Sequence, residues 1–105
     1  MNVEYLYNSK GEWICFKLGK NLFDTDAKWI GWFPWRDNDA VTVDGKYLGT
    51  ICPPNRIYFF TNKPYRGYPG YPGYPGYPGY PGYPGFAGYS PLPASAKDIT
   101  VPKGQ

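Results

Sequence analysis

Histidine is absent from this chain, methionine occurs once and cysteine twice. Without imidazole, the commonest general base and metal ligand is missing. Two cysteines with no CxxC spacing fall short of the four ligands of a structural zinc site. Cys15 and Cys52 are therefore expected as buried, reduced thiols, since a disulfide needs an oxidising compartment. Long apolar runs are lacking too. Met1 to Lys10 has no basic segment leading into an apolar stretch, and nothing reaches the length of a membrane span. The expected compartment is the cytoplasm, although export by a dedicated secretion system leaves no mark of this kind. Charge is sparse at net +3, with eight basic and seven acidic residues over 1–64 and three and one over 65–105. That balance excludes the clustered basic face of a nucleic-acid binder. No stretch sustains helical periodicity, so no helix is expected.

What is abundant is aromatic residues, at 21% of the chain, together with glycine and proline. Residues 5–51 repeat at a spacing of 16 to 20. Tyr5-Leu6-Tyr7, a turn over Asn8 to Gly11, and Glu12-Trp13-Ile14-Cys15-Phe16 make the first unit. Asn21-Leu22-Phe23, Asp24 to Ala27, and Lys28-Trp29-Ile30-Gly31-Trp32-Phe33 make the second, and Val41-Thr42-Val43, Asp44-Gly45, and Lys46-Tyr47-Leu48-Gly49 the third. A fourth starts at Arg56-Ile57-Tyr58-Phe59-Phe60, turns at Thr61-Asn62-Lys63 and runs into the proline tract. β-Branched and aromatic residues around turn formers predict short hairpins. Asp44-Gly45 is the clearest turn, because glycine accepts the positive φ that a tight hairpin loop demands. Self-similar units of this kind cannot bury their faces alone. The expected fold is all-β: four short hairpin repeats around a common aromatic core, over residues 1–64.

Residues 65–91 form a different region. Tyr65-Arg66-Gly67 is followed by six copies of Tyr-Pro-Gly and by Phe86-Ala87-Gly88. Proline in every third place excludes helix, at about 3 kcal/mol per interior site, and strips donors from any strand. Three conformations compete: polyproline II, a run of type II turns with Pro at i+1 and Gly at i+2, and a collagen-like triple helix. The expectation is a low-complexity tail without regular helix or sheet, mainly polyproline II with transient turns, and a flexible end over 92–105. In polyproline II, Tyr68, Tyr71, Tyr74, Tyr77, Tyr80 and Tyr83 line one edge and raise avidity for a partner through linked weak contacts. Ile99 and Val101 offer a short strand to an exposed hairpin edge.

The units Leu6-Tyr7-Asn8-Ser9-Lys10-Gly11, Leu22-Phe23-Asp24-Thr25-Asp26-Ala27-Lys28-Trp29-Ile30-Gly31 and Val43-Asp44-Gly45-Lys46-Tyr47-Leu48-Gly49 resemble the small bacterial domain called the 4-fold beta flower. The resemblance covers about residues 3–64 and implies hairpins in pseudo-fourfold symmetry, with no established activity and no catalytic residue. This sequence departs from the pattern at Cys15, at Ala27 and in the fourth unit, which has no second strand of the usual kind.

No catalytic constellation emerges and no cofactor or metal is expected. Lys17 near Cys15 is too little to activate a thiol. Asp24-Thr25-Asp26 lacks the further acidic residues of a calcium loop and reads as a turn cap. Trp32 and Trp35 are the candidate ligand-binding residues, because an alternating strand cannot hide both as readily as Trp29. Exposed indoles of this kind stack on sugars, quaternary ammonium groups or other aromatics. The resulting expectation is a non-enzymatic interaction module. It self-associates or binds protein through exposed aromatics and the Tyr-Pro-Gly tract, or binds carbohydrate or a cell-envelope ligand through Trp32 and Trp35.

Overall fold

A computed structural model describes residues 2–104. Among them there is no helix, and eight strands follow one another around a single sheet. They are β1 (Glu4–Tyr7), β2 (Trp13–Leu18), β3 (Asn21–Asp24), β4 (Trp29–Trp32), β5 (Asp39–Thr42), β6 (Tyr47–Cys52), β7 (Arg56–Phe60) and β8 (Ala96–Asp98). Neighbours in sequence pair antiparallel throughout. In such a meander the odd-numbered strands all run the same way, so a barrel closing on its seventh strand must close with a parallel pair. It does so at Tyr7 opposite Arg56. Closure removes the unpaired edges that an open sheet would expose. β8 is an additional strand along the remaining length of β7, with Tyr58 opposite Asp98 and Phe60 opposite Ala96. Its Asp98 accepts hydrogen bonds from the backbone N–H and hydroxyl of Ser9, both at 2.7 Å, and so ties the seam to the first turn.

Three turns are built alike, from one local device. Asn8, Asp24 and Thr42 each donate a backbone N–H to the residue four positions on, and each carbonyl accepts from the residue three positions on. The side-chain oxygens of Asn8, Asp24 and Thr42 also accept the N–H of Glu12, Lys28 and Lys46. Asp24 therefore caps a turn, as the sequence implied. The fourth residue of each turn has positive φ: 85° at Gly11, 61° at Ala27 and 90° at Gly45. Immediately before each turn the ladder shifts register, between Leu6 and Tyr7, Leu22 and Phe23, and Ala40 and Val41. Each shift leaves one extra residue on the returning strand (Ile14, Ile30 or Leu48), which is the geometry of a β-bulge.

The bulge explains why two consecutive bulky residues are both sheltered. Ile30 and Leu48 join Leu6, Cys15, Leu22, Ala40 and Ile57 inside the barrel, with Ile14 packed against that core. Trp29 turns to the other side of the wall, where it packs with Phe16, Phe23 and Ala27, flanked by Trp13, Val43 and Tyr5. The barrel wall is thus apolar on both faces. An outer apolar face needs a cover, and the Tyr-Pro-Gly tract provides it.

The tract is not a tail. Thr61 donates its backbone N–H to the Ser95 carbonyl at 2.8 Å, closing residues 61–95 into a loop between the paired strands β7 and β8. The end expected as an unpatterned tail thus contributes β8, and Ile99 and Val101 pack against the interior core. The strand lies at Ala96–Asp98 and not at Ile99–Val101. Every glycine from Gly67 to Gly88 has φ between 84° and 96°, whereas polyproline II and collagen need about −75°. Residues 63–93 form no turn, bend or ladder. The period is therefore an extended repeat that only glycine allows, in place of the polyproline rod.

Candidate functional site

The Tyr-Pro-Gly tract runs as a strap over the outer wall, in reverse order of the turns. Tyr68 lies against Gly45, at 2.7 Å from where a methyl there would sit. Tyr71 and Tyr74 flank the Trp29 indole with ring centroids at 5.7 and 5.8 Å. Pro75 to Pro78 pass beside Leu18 and Phe23. Tyr80 and Tyr83 then flank Trp13 at 6.1 and 6.0 Å, and the Pro81 carbonyl accepts the Tyr5 hydroxyl at 2.8 Å. Tilted and edge-on pairs at these separations are the favoured aromatic geometries, each adding about 0.5–1.5 kcal/mol beyond burial. Each indole also donates Nε1–H to a carbonyl two residues ahead, Trp13 to Cys15 and Trp29 to Gly31, both at 2.8 Å. The rings are locked from beneath before the tyrosines clamp them.

Both ends of the strap are fastened by arginine. Arg66 donates to Asp37 at 2.7 Å and Asp39 at 3.0 Å, and its guanidinium lies over the Trp35 ring at 4.1 Å. The Asp39 side chain is only 8% exposed and also holds Lys63 at 3.0 Å and the Thr50 hydroxyl at 2.7 Å. Burial by itself would raise the Asp39 carboxyl. The hydrogen bonds from Thr50, Lys63 and Arg66 outweigh it and hold the group below the ordinary carboxylate value. Asp37 is lowered likewise, burial being outweighed mainly by its bond from Arg66. At the far end, buried Arg56 donates to the carbonyls of Asn8 and Ala87. Ala87 N–H meets the Gly11 carbonyl at 2.9 Å, and Ser90 N–H that of Ser9 at 2.8 Å.

The six triplet tyrosines all remain more than half exposed, from Tyr74 at 55% to Tyr83 at 68%, and Tyr65, Phe86 and Tyr89 more so. Their arrangement has a period of nine residues. Tyr71 and Tyr74, then Tyr80 and Tyr83, clamp indoles, while Tyr68, Tyr77 and Phe86 clamp none. The two tryptophans expected to form an exposed platform fare differently. Trp32 is buried at 8% exposure, paired with both Asn21 and Val41 inside the sheet and with the Lys20 ammonium over its ring at 5.9 Å. Trp35, beyond the end of β4, stays half-buried and lines a cleft of about 260 Å³ with Val41, Tyr47, Phe59, Tyr65 and Arg66. The structure does not bring the two indoles together as one surface. Reading the sequence missed Asp39, Lys63, Arg66 and Arg56 altogether, since their partners lie far away in the chain. The one available signal was Arg66 itself, the single charge within the triplets.

Cys15 is fully buried, and burial, aided by the charge of Asp24, pushes its thiol up. Cys52 is raised by burial as well. Both thiols are free; the charge of Lys63 lowers the Cys52 thiol, but burial outweighs it and leaves the thiol poorly ionised. Among the described residues, no helix is long and apolar enough to cross a membrane. No family model matches the chain, and no curated protein or solved structure matches it either.

Proposed function

We propose that this chain is a non-enzymatic interaction module that binds protein, its own copies included, through the outer row of tyrosines on the strap. The observation that carries this reading is the exposure of every aromatic ring from Tyr65 to Tyr89 on a segment whose glycines and prolines, Pro75 apart, are partly covered. Contiguous exposed apolar surface of this kind marks interaction sites, and tyrosine is enriched at interfaces because its large ring costs little entropy to order. The four-hairpin reading, and with it the resemblance to the 4-fold beta flower, is supported by the recurring turns, bulges and indole locks. On that reading β7 and β8 are the fourth unit, with the strap inserted in its turn.

The test is association of the full chain by sedimentation or light scattering, against a variant with Tyr77, Phe86 and Tyr89 replaced by serine. None of these three side chains clamps an indole, so the fold should survive. Association at least tenfold weaker than wild type is expected; unchanged association refutes the reading. A second reading, carbohydrate or cell-envelope ligand binding, now rests on Trp35 and the aromatic walls of its cleft. A glycan screen in which Trp35→Ala loses the signal would favour it over the first.

A further inference from the structure

The period of nine leaves one place without its tyrosine pair: the ring of Tyr47 meets Phe59, at 5.0 Å, and no tyrosine of the strap among the described residues. Trp13, Trp29 and Tyr47 occupy the same position after their turns, opposite the bulge partners Tyr7, Phe23 and Val41. The clamps on the first two are Tyr80 with Tyr83 and Tyr71 with Tyr74. Nine residues earlier, the clamp on Tyr47 should be residues 62 and 65. Position 65 is tyrosine, but position 62 is asparagine, because the triplets have not yet begun. Tyr47 and Tyr65 both line the 260 Å³ cleft beside Trp35. That volume lies below the roughly 300–1,000 Å³ of small-molecule sites and is the size of a side chain.

We infer that the cleft is a docking site for a tyrosine of the Tyr-Pro-Gly strap in a second copy of this chain. The argument for that occupant is internal, since tyrosines of the same triplet sit on the two equivalent indoles. Charge agrees with it. The cations Lys63 and Arg66 are neutralised by Asp37 and Asp39, so the cleft suits an uncharged Tyr-Pro-Gly segment. Tyr77 is the fitting donor, at 65% exposure, midway along the strap and clamping no indole. Cleft and donor lie at different places on one molecule, so two copies either exchange the contact reciprocally about a twofold axis or extend it copy by copy.

This inference specifies the surface for the self-association proposed above, and complementation separates the two. Asn62→Tyr restores the missing clamp from within the chain and should fill the cleft. Tyr77→Ser removes the donor and leaves the cleft open. Each variant alone is expected to associate at least tenfold more weakly than wild type, with its indole N–H resonances retained. Mixed, they should form one-to-one dimers and nothing longer, the cleft of Tyr77→Ser holding Tyr77 of the other variant. If Asn62→Tyr associates like wild type while the triple serine variant does not, the tyrosine row mediates association and the cleft inference falls. A mixture that stays monomeric overturns it as well. If wild type itself proves monomeric, self-association fails, and a blocked Tyr-Pro-Gly nonapeptide then decides the cleft. Shifts at the Trp35 indole support the inference, and shifts confined to Trp13 and Trp29, or none, overturn it.

Discussion

Replacing Gly11 by alanine probes how tightly the strap is bound to the barrel. Gly11 has φ of 85°, and a methyl there would lie directly on the backbone of Gly88, 2.7 Å from its carbonyl carbon. Backbone cannot rotate away as a side chain can, so the strap end must lift. The carbonyl of Gly11 then loses Ala87 N–H, and Ser9 its bond from Ser90. Two such bonds contribute about 1–3 kcal/mol together, on top of about 1–2 kcal/mol for an L-residue in the left-handed region. Gly19 is the matched control, with φ of 61° and nothing within 4 Å of the added methyl, so its alanine variant bears only the second cost. Urea denaturation should separate the two variants by about 2 kcal/mol, or roughly 8–16 °C in Tm for a domain of this size. Amide exchange at Ala87 should accelerate in Gly11→Ala alone. Equal destabilisation of the two variants, within about 0.5 kcal/mol, would refute the view that the strap is a bound structural layer.

Other outcomes follow from the same geometry. Trp29→Ala should cost about 3–5 kcal/mol, and Trp13→Ala distinctly less because Trp13 is only half-buried; chemical denaturation of the pair checks the order. Asp39 is held below the unfolded carboxylate value of about 3.9, so its contribution is complete at neutral pH and is lost as pH falls through that value toward the folded one. Asp39→Asn should therefore flatten the decline of stability below about pH 5, and parallel wild-type and variant curves would contradict that. At pH 8 a thiol reagent should modify Cys52 slowly and Cys15 only after unfolding, since both are raised by burial and Cys15 is completely enclosed. Rapid native-state labelling of Cys15 would contradict the placement of β2.

The turns and strands were legible in the chain because their causes are local. Asn8, Asp24 and Thr42 accept hydrogen bonds from residues four positions on, and glycine at 11 and 45 meets the positive φ that follows. Trp32 was misplaced because exposure depends on what lies across the sheet, and alternation along β4 does not reveal that Asn21 and Val41 flank it. Arg66 and Arg56 were invisible as anchors, since the carboxylates and carbonyls they meet come from other turns of the barrel.

By itself the sequence determined an all-β chain without helix, the places of three turns, and a triplet segment barred from ordinary secondary structure. Those are short-range consequences of side-chain hydrogen bonding, bulge-forming residue order and proline stereochemistry. Only the tertiary structure decided that the triplets form a loop and not a tail, because that depends on Phe60 meeting Ala96 across the whole tract. It also decided that they are extended and not polyproline, with glycine φ near +90° so that the tyrosines can reach Trp29 and Trp13. The physical reason is the outer wall: bulges turn one aromatic of each unit away from the barrel core, and the strap is what shelters it.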